Sequence, residues 1–562
     1  MSKGNQYENL RTQLEYFYQW EKERPNQVFL RQPFGDTWKT VTFAEAGQIA
    51  RRMVTTLQNM GLKKGDHISI VSKNCYHWVL ADLAIMMGGF VSTPFYANLS
   101  KEQMAEVLEL SDTKAVFVGK LDTWDNIDQG IPKGFPIIRF PHYEGNAKVT
   151  RGADWDELIK INKPFTGEYL PDLNDTWSIL FTSGTTGTPK GVVHTYKNVG
   201  LVIRNEEIFD TLKGMSTKEP TFFSFLPLNH IAERAAVELG AFMTGGSISF
   251  AESLDTFAKN LQETQPTLFF AVPRIWTKFM LGILQKMPQE KLEKMLKIPI
   301  VSSLVKKKIK KGLGLSRASL VMTGASITPE STKQFFRKLG INLREVYGMT
   351  ENFGGFTLMP EHGHKANTVG VPFPNAEGRT DPETGEILMK LPWMMKGYYK
   401  DPELTAEVLV DGWLHTGDKG IMDEEGYLKI VGRVKDAFKT AKGKFIVPTT
   451  IEEKFSGSDL IEQICVAGIG CPQPVALVNL SEIGQKMDKT FVTQTLQEQL
   501  AAVNQALHGH EVVSTIVVAK EPWSPDNNLL TPTLKIRRGS IDERYMAKYA
   551  AWHEDREQVI WE

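Results

Sequence analysis

The chain has 562 residues, which is too many for one hydrophobic core, so about two to four domains are expected. Apolar residues at 41% and charged residues at 23% are ordinary for a globular protein, and the formal net charge of −1 gives no general attraction for nucleic acid. No apolar run of roughly 18 residues and no signal-peptide pattern is present, so no membrane span is expected. The three cysteines lack metal-ligand spacing and are few for a disulfide scaffold, and we expect a cytoplasmic protein.

Strand-like apolar runs alternate with longer helical patterns through the first three quarters of the chain. The run 67–71 precedes a helical pattern at 78–87, and the run 115–118 belongs to the next such unit. This alternation is typical of α/β layers with mostly parallel sheets. The sequence therefore predicts an α/β fold whose large N-terminal part consists of layered sheets and helices.

Residues 181–191 form the most informative segment and read Phe-Thr-Ser-Gly-Thr-Thr-Gly-Thr-Pro-Lys-Gly, after the apolar run 177–181. Glycines allow a close backbone approach to a ligand, and free N–H groups, hydroxyls and a lysine attract anions. The pattern predicts a polyphosphate-binding loop. A Walker-type loop is disfavoured because Lys190 follows Pro189 and is followed by glycine. A flexible surface loop is the alternative interpretation.

A basic stretch follows at 286–311, where nine lysines stand against two glutamates with apolar residues between them. A basic amphipathic helix can lie on an anionic membrane, which makes a peripheral membrane contact one hypothesis for this segment. A helical face exposed to solvent is the alternative.

The composition changes from Asp411 onward, where turn-like sequences separate short strands. We predict a domain of residues 1–432 and a mobile, smaller α+β domain of residues 433–562. Polar groups follow apolar segments at three further places, namely 347–351 (Tyr-Gly-Met-Thr-Glu), 416–418 (Thr-Gly-Asp) and 530–535 (Leu-Thr-Pro-Thr-Leu-Lys).

Taken together, these motifs resemble the adenylate-forming superfamily of acyl-CoA synthetases, luciferases and peptide-synthetase adenylation domains, in order and spacing over roughly residues 40–540. Segments 226–234 (Leu-Pro-Leu-Asn-His-Ile-Ala-Glu-Arg), 250–276 and 530–538 resemble its long-chain fatty acyl-CoA synthetase branch. The resemblance implies that ATP activates a fatty, long-chain carboxylic acid to acyl-AMP, which then passes to coenzyme A. Delivery to a separate carrier protein, a non-catalytic binding relative and a luciferase are the alternatives.

The resemblance assigns the first step to cations that neutralise the carboxylate and the phosphates. It places Mg²⁺ on Glu351 and the Thr182 hydroxyl, and makes Lys535 the adenylation lysine. Asp418 and Arg433 are expected at the ribose, and Thr350 at the α-phosphate. The β- and γ-phosphates are assigned to Thr182, Ser183, Gly184, Thr185, Thr186, Gly187 and Lys190. Adenine is assigned to Gly324, Ala325, Ser326, Glu345, Val346 and Tyr347.

The resemblance implies that the second step needs a rotation of the C-terminal domain about Lys435. It also places Lys435 among the cofactor-binding residues. That rotation would bring the loop from Lys439 to Gly443 to the pantetheine channel, while His230 gates the acyl tunnel. A histidine in the core is the alternative for His230. A homodimer is a further partner hypothesis. Acyl chain length is not readable from the sequence, because one methylene changes binding by only ~1–3 kcal/mol.

Overall fold

The computed structural model describes residues 9–183, 188–204, 219–455, 458–524, 527–531 and 535–562. They form two compact units, a larger one of residues 9–182, 189–377 and 390–412 and a smaller one that contains 378–389 and 413–562. The predicted domain boundary at 432/433 stays a prediction, and the units themselves change over at 412/413.

The largest sheet of the larger unit has eight strands and confirms the α/β fold. The six strands from Thr176–Ser183 to Ala153–Asp154 pair in parallel, and at the other edge the short strand Gly397–Tyr398 pairs with Pro189–Thr195 in antiparallel fashion. In spatial order the strands are Gly397–Tyr398, Pro189–Thr195, Thr176–Ser183, Val91–Ser92, His67–Ser72, Thr113–Gly119, Ile137–Arg139 and Ala153–Asp154.

Two further sheets complete the strand layers of this unit. A four-stranded sheet has the order Thr221–Ser224, Ser247–Phe250, Val28–Phe34 and Thr37–Thr42. A five-stranded sheet has the order Leu268–Ala271, Leu320–Gly324, Leu343–Tyr347, Thr357–Leu358 and Val371–Pro372. Its first three strands are parallel, so their carboxyl ends share one edge, where α/β proteins commonly bind ligands.

Helices cover these sheets, and their sequences explain their ends. Helix Phe43–Asn59 begins with a capping box between Thr42 and Glu45. Helix Tyr76–Met87 is a central helix, since all of its side chains are buried. The helices of this unit are Gln13–Glu23, Phe43–Asn59, Tyr76–Met87, Lys101–Ser111, Asp125–Gly130, Trp155–Ile161, Tyr196–Arg204, Ile231–Glu233, Gly240–Thr244, Phe257–Thr264, Pro273–Lys286, Gln289–Leu296, Pro299–Gly312, Glu330–Lys338 and Pro402–Val408.

The smaller unit begins with antiparallel strands and continues as an α+β domain. Strand Trp413–Met422 pairs with both Glu386–Lys390 and Leu428–Arg433. The remaining strands of this half are the hairpin Phe438–Lys439 and Phe445–Ile446, and the sheet Ile461–Ala467, Val475–Leu480, Ile516–Val518 and Val559–Trp561. Its helices are Pro448–Glu452, Glu482–Lys486, Lys489–Gln505 and Arg538–Glu554. Short strands Glu377–Thr380 and Leu409–Val410, the π-helix Arg234–Leu239 and the 3₁₀ turns Thr350–Asn352 and Glu453–Phe455 complete the element order.

The two long helices of this domain cover opposite faces of its last sheet. Val478 and Val518 pack with the helix Lys489–Gln505, whereas Leu477 and Val517 pack with the helix Arg538–Glu554. Alternate side chains of a strand point to opposite faces, so each strand supplies both cores. Within the described part of the chain, no helix is both long and apolar enough to cross a bilayer.

Candidate active site

The predicted phosphate loop joins two neighbouring strands of the eight-stranded sheet, Thr176–Ser183 and Pro189–Thr195. Gly184, Thr185, Thr186 and Gly187 lie outside the described residues, as does the Ser183 side chain. At the base of this hairpin the Thr182 hydroxyl donates a weak hydrogen bond of 3.5 Å to the carbonyl of Lys190. The structure therefore brings Thr182 and Lys190 together at the base of the loop, while phosphate binding there stays a prediction.

Glu351 and Lys190 meet the same tyrosine, Tyr398. The Tyr398 hydroxyl donates to Oε1 of Glu351 at 2.7 Å, and Lys190 Nζ lies 5.7 Å from the centre of the Tyr398 ring. Burial and the Glu351 carboxylate raise the pKa of Tyr398 well above its ordinary value, so the phenol stays protonated and donates. We call Lys190, Glu351 and Tyr398 the 398 cluster.

Two local features place Glu351. It lies in the 3₁₀ turn Thr350–Asn352 just after the strand Leu343–Tyr347, and its carbonyl accepts a hydrogen bond of 2.8 Å from the N–H of Met395. Tyr398 reaches it because Tyr398 pairs with Val192 on the hairpin strand. Sequence analysis did not identify Tyr398.

The residues at the predicted magnesium site fit that ion. Tyr398 occupies only one oxygen of the Glu351 carboxylate, and the other accepts no hydrogen bond from a described residue. No group of three His, Cys, Asp or Glu side chains is placed for a metal within the described ranges. Mg²⁺ usually takes one or two carboxylates and completes its octahedron with water and phosphate oxygens, which matches this arrangement. The ion itself stays a prediction.

Replacing Tyr398 with phenylalanine should reduce ATP–pyrophosphate exchange by roughly tenfold to a hundredfold, because a hydrogen bond to a charged group is lost. If the hydroxyl positions Glu351 for Mg²⁺, the Mg²⁺ concentration for half-maximal exchange should also rise. Tyr399→Phe is the matched control, since the Tyr399 hydroxyl donates to the carboxylate of Asp112 at 2.7 Å. Equal Mg²⁺ titrations for the two variants would contradict the positioning role.

The predicted adenine residues lie at the carboxyl ends of two paired parallel strands, where Gly324 is opposite Val346. A Cβ atom at Gly324 would lie 2.6 Å from the Val346 carbonyl oxygen, so this close approach requires glycine. Ala325 has a positive φ of 68°, and Ser326 is exposed beyond the turn. A left-handed alanine is strained, and such strain concentrates at functional sites.

Two other predicted adenine residues have internal partners. The buried Glu345 carboxylate accepts from Lys333 Nζ at 2.6 Å and from the Thr328 N–H at 2.8 Å, and burial raises its pKa although Lys333 opposes the shift. Tyr347 is buried and packs edge-to-face on Phe356. The adenine contacts of Glu345, Val346 and Tyr347 stay predictions.

His194 is a second residue that sequence analysis did not identify. Its Nε2 atom donates to the Thr350 carbonyl at 2.9 Å, directly before Glu351. Burial lowers the pKa of His194 to about 4, while the bond to Thr350 partly opposes the shift. The histidine is therefore neutral near pH 7 and holds the turn that carries Thr350 and Glu351.

His230 caps the N-terminus of the short helix Ile231–Glu233, because its Nδ1 atom accepts a hydrogen bond of 3.2 Å from the N–H of Ala232. The preceding segment is fixed by two buried side chains. Glu233 accepts from the N–H of Phe225 at 2.9 Å, and Asn74 Oδ1 accepts from the N–H of Leu228 at 3.1 Å. These bonds position His230, while its role at an acyl tunnel stays a prediction.

Burial raises the pKa of Glu233 to about 8, and Glu238 adds to this shift, whereas hydrogen bonds oppose it. Between the ordinary value of 4.5 and about 8, the folded state keeps a proton that the unfolded state releases. The free energy of unfolding should therefore fall as the pH rises through this window, by at most about 1.4 kcal/mol per pH unit.

Glu233→Gln should remove that part of the pH dependence, because glutamine keeps an acceptor for Phe225 and carries no charge. Melting temperatures of the two proteins compared from pH 5 to pH 8 should diverge as the pH rises, with the variant more stable at the alkaline end. Glu106→Gln at an exposed position is the control and should follow the parent protein. Parallel curves for Glu233→Gln and the parent would contradict a neutral Glu233.

Within the smaller unit, three predicted residues share one electrostatic environment. Arg433 Nε lies 3.2 Å from Oδ1 of Asp418, which is opposite it on the neighbouring strand. Lys535 keeps an exposed surface, yet surrounding protein atoms and Arg433 lower its pKa, and Asp418 opposes this effect. The Asp418 carboxylate therefore interacts electrostatically with both Arg433 and Lys535.

The predicted hinge residue Lys435 lies between two anchored neighbours. The Val434 N–H donates to the Gly417 carbonyl at 2.8 Å, and Asp436 pairs with Arg538 at 3.1 Å. The predicted pantetheine loop is the tip of the hairpin that begins at Phe438–Lys439, and its Gly443 has a positive φ of 72°. The hinge and loop functions stay predictions.

Two family models match the chain. The model of the AMP-binding enzyme matches residues 17–399, and that of the AMP-binding enzyme C-terminal domain matches residues 435–556. The chain belongs to the AMP-binding, adenylate-forming enzyme family. The first match contains the 398 cluster and the predicted adenine residues, and the second begins at Lys435.

Curated relatives of this adenylate-forming enzyme include Long chain acyl-CoA synthetase 2 of Arabidopsis thaliana, 27% identical over 94% of this chain and 90% of the relative. Long-chain-fatty-acid–CoA ligase 5 of Mus musculus is 29% identical over 95% of this chain and 86% of the relative. Among solved structures, o-succinylbenzoate CoA synthetase of Bacillus subtilis in complex with its acyl-adenylate has a TM-score of 0.74 at 20% identity, covering 94% and 98% of the two chains. This last likeness shows the fold.

Proposed function

We propose that the protein activates a long-chain fatty acid with ATP and transfers the acyl group to coenzyme A, releasing pyrophosphate and AMP. The observation that supports the adenylation step is the 398 cluster at the base of the predicted phosphate-loop hairpin, where Lys190 and Glu351 both contact Tyr398. The long-chain part is supported by segment 226–234 and by the names of relatives that cover most of the chain.

The chain's own residues have distinct tasks in this proposal. Lys190 adds positive charge at the phosphates, and Tyr398 and His194 hold the turn of Glu351 in place. Mg²⁺, when bound, neutralises phosphate charge that would repel the acid. Lys535 supplies the ammonium group between the carboxylate and the α-phosphate, and Asp418 accepts from the ribose hydroxyls. Lys439 and Gly443 line the channel of coenzyme A.

The test is a two-stage assay over saturated acids from short to long, with aromatic acids as controls. Exchange of labelled pyrophosphate into ATP reports adenylation without coenzyme A, and chromatographic detection of the thioester reports transfer. We expect both signals to be strongest with long-chain acids. Exchange without any thioester would favour a different acyl acceptor, such as a carrier protein. Preference for aromatic acids would overturn the long-chain proposal.

A further inference from the structure

The basic stretch 286–311 is not part of the site described above, and the structure resolves it into three helices rather than one. Pro288 and Pro299 separate Pro273–Lys286, Gln289–Leu296 and Pro299–Gly312. The last helix presents one exposed stripe with the spacing i, i+3, i+4, i+7, i+8 and i+11. Its members are Ile300, Ser303, Leu304, Lys307, Lys308 and Lys311, and we call it the lysine face.

The two apolar residues of the lysine face are not needed for the core. The opposite side of the same helix supplies the buried contacts, through Val305 and the partly buried Val301 and Ile309. Ile300 and Leu304 remain 78% and 65% exposed, and Ile298 just before the helix is 54% exposed. Neighbouring exposed apolar side chains of this size mark an interaction surface.

The charge around these residues has one sign. Residues 294–329 contain seven lysines and one arginine and no acidic residue, in a chain whose net charge is −1. The ammonium groups of Lys307, Lys308 and Lys311 form no ion pair with any described carboxylate. The lysine face is therefore a local cationic surface with an apolar end.

We propose that the lysine face binds the surface of an anionic lipid bilayer, with Ile298, Ile300 and Leu304 entering the interface and the lysines contacting the headgroups. Apolar anchors beside lysines are the pattern that such interfaces select. Single-stranded nucleic acid is disfavoured because the stripe contains no aromatic side chain for base stacking. A symmetric contact between two copies would place lysines near lysines, which repel.

The expected strength is that of a reversible peripheral contact. Each lysine near an anionic surface strengthens binding roughly fivefold, so three together contribute on the order of a hundredfold. This term weakens in salt, because exposed charges are screened. Long-chain acids partition into bilayers, so the contact would hold the proposed enzyme beside its substrate. The binding itself does not depend on the proposed function.

The test measures co-sedimentation of the full chain with phosphatidylcholine vesicles that contain or lack phosphatidylglycerol, without any substrate. The parent protein should bind the anionic vesicles and lose binding in high salt. K307E/K308E/K311E should bind on the order of a hundredfold more weakly, and I300D/L304D at least about tenfold more weakly. The melting temperature of each variant, compared with that of the parent protein, checks that the variant is folded.

The matched control variants carry the same kinds of substitution, lysine to glutamate and apolar residue to aspartate, at exposed positions outside the lysine face. K114E/K133E/K160E replaces three exposed lysines, and I161D/L170D replaces two apolar residues that are 75% and 58% exposed. Both controls should bind like the parent. Absence of parent binding, or equal loss in controls and test variants, would overturn the proposal. If the parent protein dimerises and does not bind vesicles, and I300D/L304D abolishes the dimer, the lysine face would be a self-association surface instead.

Discussion

Lys535→Ala should abolish adenylation while ATP still binds. Removing a preorganised charge from the point where negative charge accumulates costs roughly a hundredfold to a thousandfold in rate. Here two anions must meet, so we expect a loss at the upper end of that range in ATP–pyrophosphate exchange. Burial lowers the pKa of Lys535, Arg433 adds to this shift and Asp418 opposes it, so the lysine lies within electrostatic reach of two predicted nucleotide-binding residues.

The assay should compare three variants. Lys520→Ala removes an exposed lysine of the same domain and should leave exchange unchanged. Lys535→Arg keeps the charge but not the compact ammonium group, and should recover only part of the rate. Thioester formation from pre-formed acyl-adenylate should survive in Lys535→Ala, because the lysine is assigned to the first step alone. Exchange at the parental rate in Lys535→Ala would falsify the assignment.

The local patterns of the sequence predicted the elements of the fold well. The run 67–71 is strand His67–Ser72, the pattern 78–87 is helix Tyr76–Met87, and the run 115–118 lies in strand Thr113–Gly119. Each of these elements is indicated by a short local pattern of apolar residues, and such a pattern depends little on the rest of the chain. The α/β class follows from their alternation.

Contacts between distant segments could not be predicted in the same way. Tyr398 meets Glu351 only because a two-residue strand pairs with Pro189–Thr195 in one register, and no local period encodes that register. The partners of Glu345 and Thr350, Lys333 and His194, also come from other elements. The basic stretch is different, because Pro288 and Pro299 were visible in the sequence and indicate the helix breaks that the structure has.

Lys435→Pro should separate the two half-reactions, and this is the second large effect we expect. Proline fixes φ near −65° and removes one N–H, so it would oppose a rotation that uses this residue. The Lys435 N–H donates to no acceptor among the described residues, so the substitution removes no described bond. Residues on both sides are held, by the Val434 bond to Gly417 and by the Asp436 pair with Arg538. A change of backbone angle between them is therefore concentrated at Lys435.

Adenylation should persist in Lys435→Pro within a few-fold, while thioester formation should fall by roughly a hundredfold or more, as expected when a required conformational step is blocked. Lys435→Ala is the control, since it removes the side chain and leaves φ free, and both steps should continue. Equal loss of both steps in the proline variant, with an unchanged melting temperature, would remove the hinge assignment. Loss of both steps in the alanine variant would instead assign the ammonium group to the nucleotide site, the other role that the resemblance gives Lys435.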